Sequence, residues 1–331
     1  MLRLVILSLL LCFSTFVYAD SEFINRPDVQ EFIQQMVVKH GFNKKQLIAL
    51  FDNIKLRKQV IRNINKPLEQ ETWYKYQLLF VTESRIKEGV KFWNKYAPVL
   101  QKAEEVYGIP PGIIVATLGV ETKYGQKMGE YRVLDSLANL AFNSSRSKFF
   151  RKELTEFLLL TREQHVNPFS ILGSYAGAIG QPQFMPSSYR YYAVNFSKSG
   201  TIDLMHNEID VIGSVANYYK KMGWKPNTPV ATPAYMMGNH YDYLMRNFKG
   251  KPLTLTELSR LGIIPKNKIN PDDLRAKVIE LQNHFSKEYW LGFHNFDVIK
   301  RYNSSNLYAM AVLQLSYYIT AQRERHTNES I

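Results

Sequence analysis

Pro111-Gly-Ile-Ile-Val-Ala-Thr-Leu-Gly-Val120-Glu121-Thr-Lys-Tyr-Gly125 sets one carboxylate at the end of an otherwise apolar run. Ile109-Pro110 punctuates the chain, and Pro111 is well tolerated in a first helical turn, so a helix starts there with Glu121 near its C-terminus. Thr117 and Leu118 lie one turn back from Glu121 and Tyr124 and Gly125 one turn on, while Gly125 and Gly129 break the helix. The glycines also leave room for a ligand. An ionised carboxylate beside so apolar a run is costly, so Glu121 is paired, exposed at a cleft, or protonated. Burial moves a Glu from ~4.3 towards the ~6–7 useful to a general acid. The bland alternative is a Glu on a solvated helix face, and the neighbouring motifs decide between the two.

The second stretch is Gly173-Ser174-Tyr175-Ala176-Gly177-Ala178-Ile179-Gly180-Gln181-Pro182-Gln183-Phe184-Met185-Pro186-Ser187-Ser188. Its small residues let backbone amides approach a ligand, Ser174 and Gln183 offer hydrogen bonds, and Phe184 offers a flat face. Pro186-Ser187-Ser188 reads as a helix start with serines available as caps. The chain has 21 tyrosines, among them Tyr218, Tyr219, Tyr302 and Tyr308. Aromatic faces cover sugar C–H surfaces while the phenol reaches sugar oxygens, so this supply suits a saccharide groove, although any single Tyr is as readily core filler.

The fold class read from periodicity is mainly α with a small mixed insertion. Residues 26–100 repeat apolar positions at helical spacing, as in Val29, Phe32, Ile33 and Met36, and end in a basic amphipathic helix from Ile86 to Leu100. Further helices are predicted at Val133–Phe142, Lys148–Glu163, Ser187–Phe196 and Glu208–Lys221. After Trp224 the texture changes to Pro226, Pro229 and Pro233 among Thr, Val and Ala. Leu253–Thr256, Lys277–Leu281 and Phe296–Ile299 read as short strands. Residues 227–300 are therefore a small α/β lobe, and Ala309–Ala321 returns to the core as a helix, leaving Arg323–Ile331 as a polar tail. The domain plan is 1–19 export signal, 20–100 helical domain, 101–226 catalytic core, 227–300 lobe and 301–331 returning helix.

Met1-Leu2-Arg3, the apolar run Leu4–Val17 and Val17-Tyr18-Ala19 form an export signal cleaved after Ala19. The stretch is short for a spanning helix of ~20 residues, and Leu11 is too large to precede a lipoprotein cysteine at Cys12. Cys12 is the single cysteine, so the exported chain relies on its core rather than disulfides. No later stretch is apolar enough to cross a bilayer, which places the mature chain in a bacterial periplasm. The formal net charge of +13 suits a polyanionic partner. Export argues against nucleic acid, leaving anionic lipid or a carboxylate-bearing cell wall.

Five segments then occur in order: Gly119-Val-Glu121-Thr-Lys-Tyr-Gly125, Ser174-Tyr-Ala-Gly-Ala-Ile-Gly180, Gln183-Phe-Met-Pro-Ser-Ser188, Ile212-Gly-Ser-Val-Ala-Asn-Tyr218, and Arg301-Tyr-Asn303 with Tyr308-Ala-Met-Ala-Val312. Together, across about residues 70–320, they resemble the membrane-bound lytic murein transglycosylase B family. The resemblance implies a goose-lysozyme-like helical core with a small β-containing lobe. It implies cleavage of the MurNAc-β-1,4-GlcNAc bond of peptidoglycan glycan strands with formation of a 1,6-anhydroMurNAc end, without cofactor or metal. By position, Glu121 matches the catalytic acid/base, and Ser174, Gln183, Phe184, Tyr218, Tyr302, Asn303 and Tyr308 match substrate-binding residues. Tyr76 is a looser match, and Arg146 matches a basic groove residue where a neighbouring Arg of some members is Ser147 here.

Two departures stand out. Gln181-Pro182 replaces a more glycine-like pair. Asn195–Asp203 resembles a calcium loop, but Asn195, Ser197 and Ser199 are neutral, Lys198 is positive, and His206 stands where the bidentate Glu belongs, so weak or no calcium binding is predicted. Hydrolysis by water needs two carboxylates, and of Glu130, Asp135 and Asp210 none sits in a setting as apolar as that of Glu121. The rivals are a muramidase on the same glycan and a non-catalytic murein-binding protein. The histidines lack zinc-enzyme spacing. Other cell-wall enzymes are the candidate protein partners.

Overall fold

The computed structural model describes residues 21–64, 71–238, 240–248, 250–269 and 274–328. The export signal over 1–19, with Cys12, and the last three residues of the tail lie outside them. Among the described residues no helix is long and apolar enough to cross a membrane.

The chain opens with α1 (Ser21–Ile24), α2 (Pro27–His40), α3 (Lys44–Asp52), α4 (Lys58–Ile64), α5 (Trp73–Phe80), α6 (Glu83–Lys95) and α7 (Ala97–Tyr107). The single helix expected over Ile86–Leu100 is two helices meeting at Tyr96, because Pro98 opens α7 and lacks the N–H a continuous helix needs. Next come α8 (Pro111–Thr122), β1 (Tyr131–Arg132), α9 (Val133–Asn143), α10 (Ser147–Glu163), β2 (Leu172–Gly173), α11 (Pro186–Tyr192) and α12 (Glu208–Lys221). Every residue of α8 from Gly112 to Val120 is buried, as an apolar run without a polar face requires. α11 stops at Tyr192, short of the expected Phe196: Ala193 is extended, and Val194 N–H donates to Ser214 Oγ at 3.0 Å.

The lobe contains β3 (Ala231–Met236), α13 (Tyr241–Phe248), β4 (Leu253–Thr254), α14 (Leu255–Arg260), β5 (Ile263–Pro265), β6 (Arg275–Gln282) and β7 (Lys287–Gly292). Its strands form an antiparallel sheet in the order β4-β6-β7-β3-β5, with Lys277 opposite Gly292 and Ala231 also opposite Gly292. One face packs Ala276 and Leu291 against Leu244 of α13 and Leu258 of α14, while Ile279 and Leu281 join the main core. Leu253–Thr256 is strand only to Thr254, where a capping box with Glu257 starts α14.

The chain ends in α15 (His294–Ile299) and α16 (Asn306–Asn328). Phe296–Ile299 is thus helix, not strand. Asn295 fixes that turn, accepting from Lys225 N–H and donating to the carbonyls of Lys225 and Thr228. α16 also runs past Ala321 through much of the expected tail. It packs on α5, α6 and α8, so the first helices and the last share one core, from Phe23 to Ile319.

Candidate active site

Glu121 is half-buried, the penultimate residue of α8. The helix stops at once because Lys123, Tyr124 and Gly125 all take positive φ, at 51°, 59° and 83°. Tyr124 is therefore not stacked on Glu121 as a continuing helix would have it. Its hydroxyl folds back to donate to Arg85 O at 2.7 Å. Gly119 makes this possible, since a Cβ there would lie 2.6 Å from that hydroxyl. Thr122 Oγ1 fastens the helix end by donating to Gln181 O at 2.9 Å and accepting from Gly125 N–H at 2.9 Å.

The glycine-rich loop after β2 is stitched across itself. Ile179 and Phe184 exchange backbone hydrogen bonds of 2.8 and 3.1 Å, and Ser174 N–H donates to Ala178 O at 3.0 Å. Ser174 Oγ accepts from the N–H groups of Ala176 and Ala178, which leaves its own proton available to a ligand. Gln183 sits at φ 50°, its amide nitrogen donating to Met128 O and Gly180 O. Ser187 does not cap α11. Met185 precedes the helix without a side-chain bond, and Ser187 gives both its N–H and its Oγ to Glu153.

These elements enclose a cleft of ≈ 320 Å³ whose wall includes Glu121, Ser174, Gln183, Phe184, Tyr218, Tyr302 and Asn303. Seven of the residues singled out by sequence thus converge. Tyr302 donates to Pro182 O at 2.6 Å and Tyr218 to Arg301 O at 2.6 Å, tying the loop and the chain before α16 to α12. Their rings stand 4.8 Å apart at 62°, with Phe184 5.6 Å from Tyr218. Tyr308 lies behind the wall, 2 % exposed, its hydroxyl donating to Glu121 Oε1 at 2.6 Å. Burial raises the Tyr302 and Tyr308 phenols well above the ordinary tyrosine range, and the Glu121 charge adds to it, so both stay protonated donors.

Behind Tyr308, Tyr219 is fully buried. Its hydroxyl meets Thr117 Oγ1 at 2.8 Å. Thr117 spends its proton on Ile113 O, so it accepts from Tyr219. Hydroxyls of α8, α12 and α16 thus gather behind Glu121.

Two residues expected at the cleft are placed otherwise. Tyr76 is 2 % exposed in α5 with its ring 4.6 Å from Phe80, inside the core rather than on the cleft wall. Arg146 lies over the Phe149 ring at 4.6 Å and lines a larger adjoining groove with Trp73, Glu280 and Lys300. Tyr175 and Asn303 line both spaces, so cleft and groove are continuous. Tyr175, Met185 and Ser188 also form the cleft wall, and sequence reasoning passed over them although they lie within its quoted motifs. Nothing local marks Glu280, which arrives from the lobe's sheet.

Asp135 and Asp210 are fully buried, but among polar and charged partners. Neither lines the cleft. Arg132 binds both oxygens of Asp135, and Asp210 accepts from the N–H groups of Ser197 and Asp203. The 195–203 loop is held by its own hydrogen bonds. Asn195 Oδ1 accepts from Ser199 N–H, and Asp203 Oδ1 accepts from the N–H groups of Met205 and His206. Among the described residues no three His, Cys, Asp or Glu side chains gather as metal ligands.

Residues 25–317 match the transglycosylase SLT domain family. The chain is 39 % identical over 313 residues to the membrane-bound lytic murein transglycosylase B of Escherichia coli, covering 91 % of this chain and 85 % of that one. Soluble lytic transglycosylase SltB1 from Pseudomonas aeruginosa superposes with a TM-score of 0.83 at 42 % identity, over 90 % of this chain and all of that one. SltB3 from the same organism, in complex with NAG-NAM-pentapeptide, superposes with a TM-score of 0.78 at 26 % identity, over 88 % and 79 %. A mainly helical, lysozyme-like body, an attached antiparallel sheet and a lone cleft glutamate thus coincide with a family match over most of the chain, and the chain belongs to the transglycosylase SLT family as an enzyme of the lytic transglycosylase class.

Proposed function

We propose that this enzyme cleaves the MurNAc-β-1,4-GlcNAc bond of peptidoglycan strands in the periplasm, closing a 1,6-anhydroMurNAc ring with Glu121 as sole acid and base. The observation that carries the reading is that, among the described residues, Glu121 is the one carboxylate on the cleft wall. The relatives named above act on murein or hold a NAG-NAM-pentapeptide. Met1–Ala19 supports export, and the basic surface suits a wall rich in carboxylates.

With one carboxylate the substrate supplies the nucleophile. Protonated Glu121 gives its proton to the GlcNAc O4 as the C1–O4 bond breaks, and the MurNAc acetamide supports the oxocarbenium-like centre. The Glu121 carboxylate then takes the proton of the same sugar's C6 hydroxyl while O6 bonds to C1. No water is consumed and Glu121 ends as it began. Tyr308, always a donor, holds Oε1 in place and stabilises the charge between the two transfers. Clustered Phe184, Tyr218 and Tyr302 offer aromatic surface to the sugars, and Ser174 offers its hydroxyl.

Digestion of purified sacculi with identification of products by mass tests the reading. Anhydro ends lie one water below reducing ends, so recovery of only reducing MurNAc would show hydrolysis instead. Glu121→Gln should abolish turnover, by at least ~10²-fold, while still binding sacculi. Residual cleavage near the parent rate would refute Glu121 as the acid.

A further inference from the structure

The groove that continues from the Glu121 cleft is lined by two acids and two cations, and they differ in how they are satisfied. Glu71 is paired with Lys75 at 2.9 Å, and Glu280 with Lys287 at 3.0 Å while also accepting from the Tyr289 hydroxyl. Neither cation has a carboxylate within ion-pair distance among the described residues. Arg146 is exposed and lies over a ring. Lys300, capping α15, is half-buried, and Asp297, the acid that attracts it, is taken by Lys277 at 2.7 Å. Burial and the neighbouring Lys277 charge hold the Lys300 ammonium below the ordinary lysine range. A cation withdrawn from water without a counter-ion carries a cost that an anion in the groove removes.

We infer that Lys300 is a specificity-determining residue whose ammonium receives a carboxylate of the peptide stem carried by the MurNAc held beside Glu121. The inference rests on the peptidoglycan reading. Lys300 stands three residues before Asn303, which lines cleft and groove alike, so a stem leaving the sugar past Asn303 and Tyr175 enters the space Lys300 faces. With both acids already neutralised by outward lysines, the groove presents net positive charge to that stem. Arg146 adds to the field, but an exposed cation gains little from pairing, whereas a partly dehydrated one gains more.

The test uses two glycan strands with identical stems, one with free stem carboxylates and one with those carboxylates converted to carboxamides. The mature enzyme should process the free-acid strand about tenfold more efficiently, through KM with kcat little changed, as one partly buried ion pair implies. Lys300→Gln should treat both strands alike, at the level the parent shows on the amide. Lys300→Arg should restore the preference. The same preference should appear as a ratio of dissociation constants in the Glu121→Gln background, which measures it without turnover. Lys300→Gln that keeps the preference, a parent with none, or equal loss on both strands would overturn the inference. A parent that binds the free-acid strand preferentially yet cleaves neither would instead count against the activity.

Discussion

Tyr308 reaches Glu121 across 187 residues of sequence, and its role follows from what its hydroxyl can do. Held protonated by burial, it can only support the carboxylate and cannot take its proton. Tyr308→Phe keeps the ring and removes the hydroxyl, so the fold should persist while kcat falls about 10- to 100-fold, the worth of one hydrogen bond to a charged group. Steady-state kinetics beside a thermal melt separate the two effects, and unchanged kcat would remove Tyr308 from the reaction. Tyr219 is the residue that spacing alone could not assign. It sits beside Tyr218 in a doublet, yet Tyr218 lines the cleft and Tyr219 lies behind it, a difference of about 100° around one helix.

At the scale of the element, the end of α8 decides where the acid stands. Three consecutive left-handed residues stop the helix one position after Glu121, and the returning Tyr124 ring needs a residue without a side chain at Gly119. Gly119→Ala would press a methyl against that phenol and break its bond to Arg85, so urea unfolding should show a loss of ~1–3 kcal/mol. An unchanged midpoint would mean the ring moves freely. Helices with strong 3.6-residue periodicity were legible: Glu208–Lys221 coincides with α12, and α9 and α10 fall within a residue of expectation. Short apolar runs were legible only in part: Lys277–Leu281 lies within β6, but others do not. Phe296–Ile299 has the aromatic and β-branched content of a strand, but Asn295 commits it to a turn of helix. β3 went unread because Pro233, lacking an N–H, stands in a strand with neighbours on both sides.

At the scale of the molecule, the tyrosine cluster links acidity to stability. Tyr124, Tyr218, Tyr219, Tyr302 and Tyr308 are all raised above the ordinary value, chiefly by burial. Unfolded, they titrate near ~10. Above that pH the unfolded chain gives up protons the folded chain retains, so stability is intact below ~10 and falls as pH rises. Melting temperature should drop steeply between about pH 9.5 and 11, with a share of the tyrosinate absorbance of the 21 tyrosines appearing only on unfolding. A flat melting curve, or titration of these tyrosines in the folded chain, would contradict the burial assigned to them. The cleft's inventory was readable because five linked motifs supply most of its wall, whereas the groove was not, since its outer side comes from a sheet remote in sequence.

That sheet is entered and left by a single gateway. β3 begins and β7 ends as neighbours, and Phe293 N–H donates to Val230 O at 2.9 Å where the two crossings meet. Covalently the lobe is joined at two adjacent backbone positions, like a page held by one staple, while Ile279 and Leu281 pack it onto the main core. Chain can be lengthened or trimmed beyond that staple without rerouting the path that carries Glu121. The reach of the outer wall over a bound strand is thereby free to vary while the proton donor keeps its place.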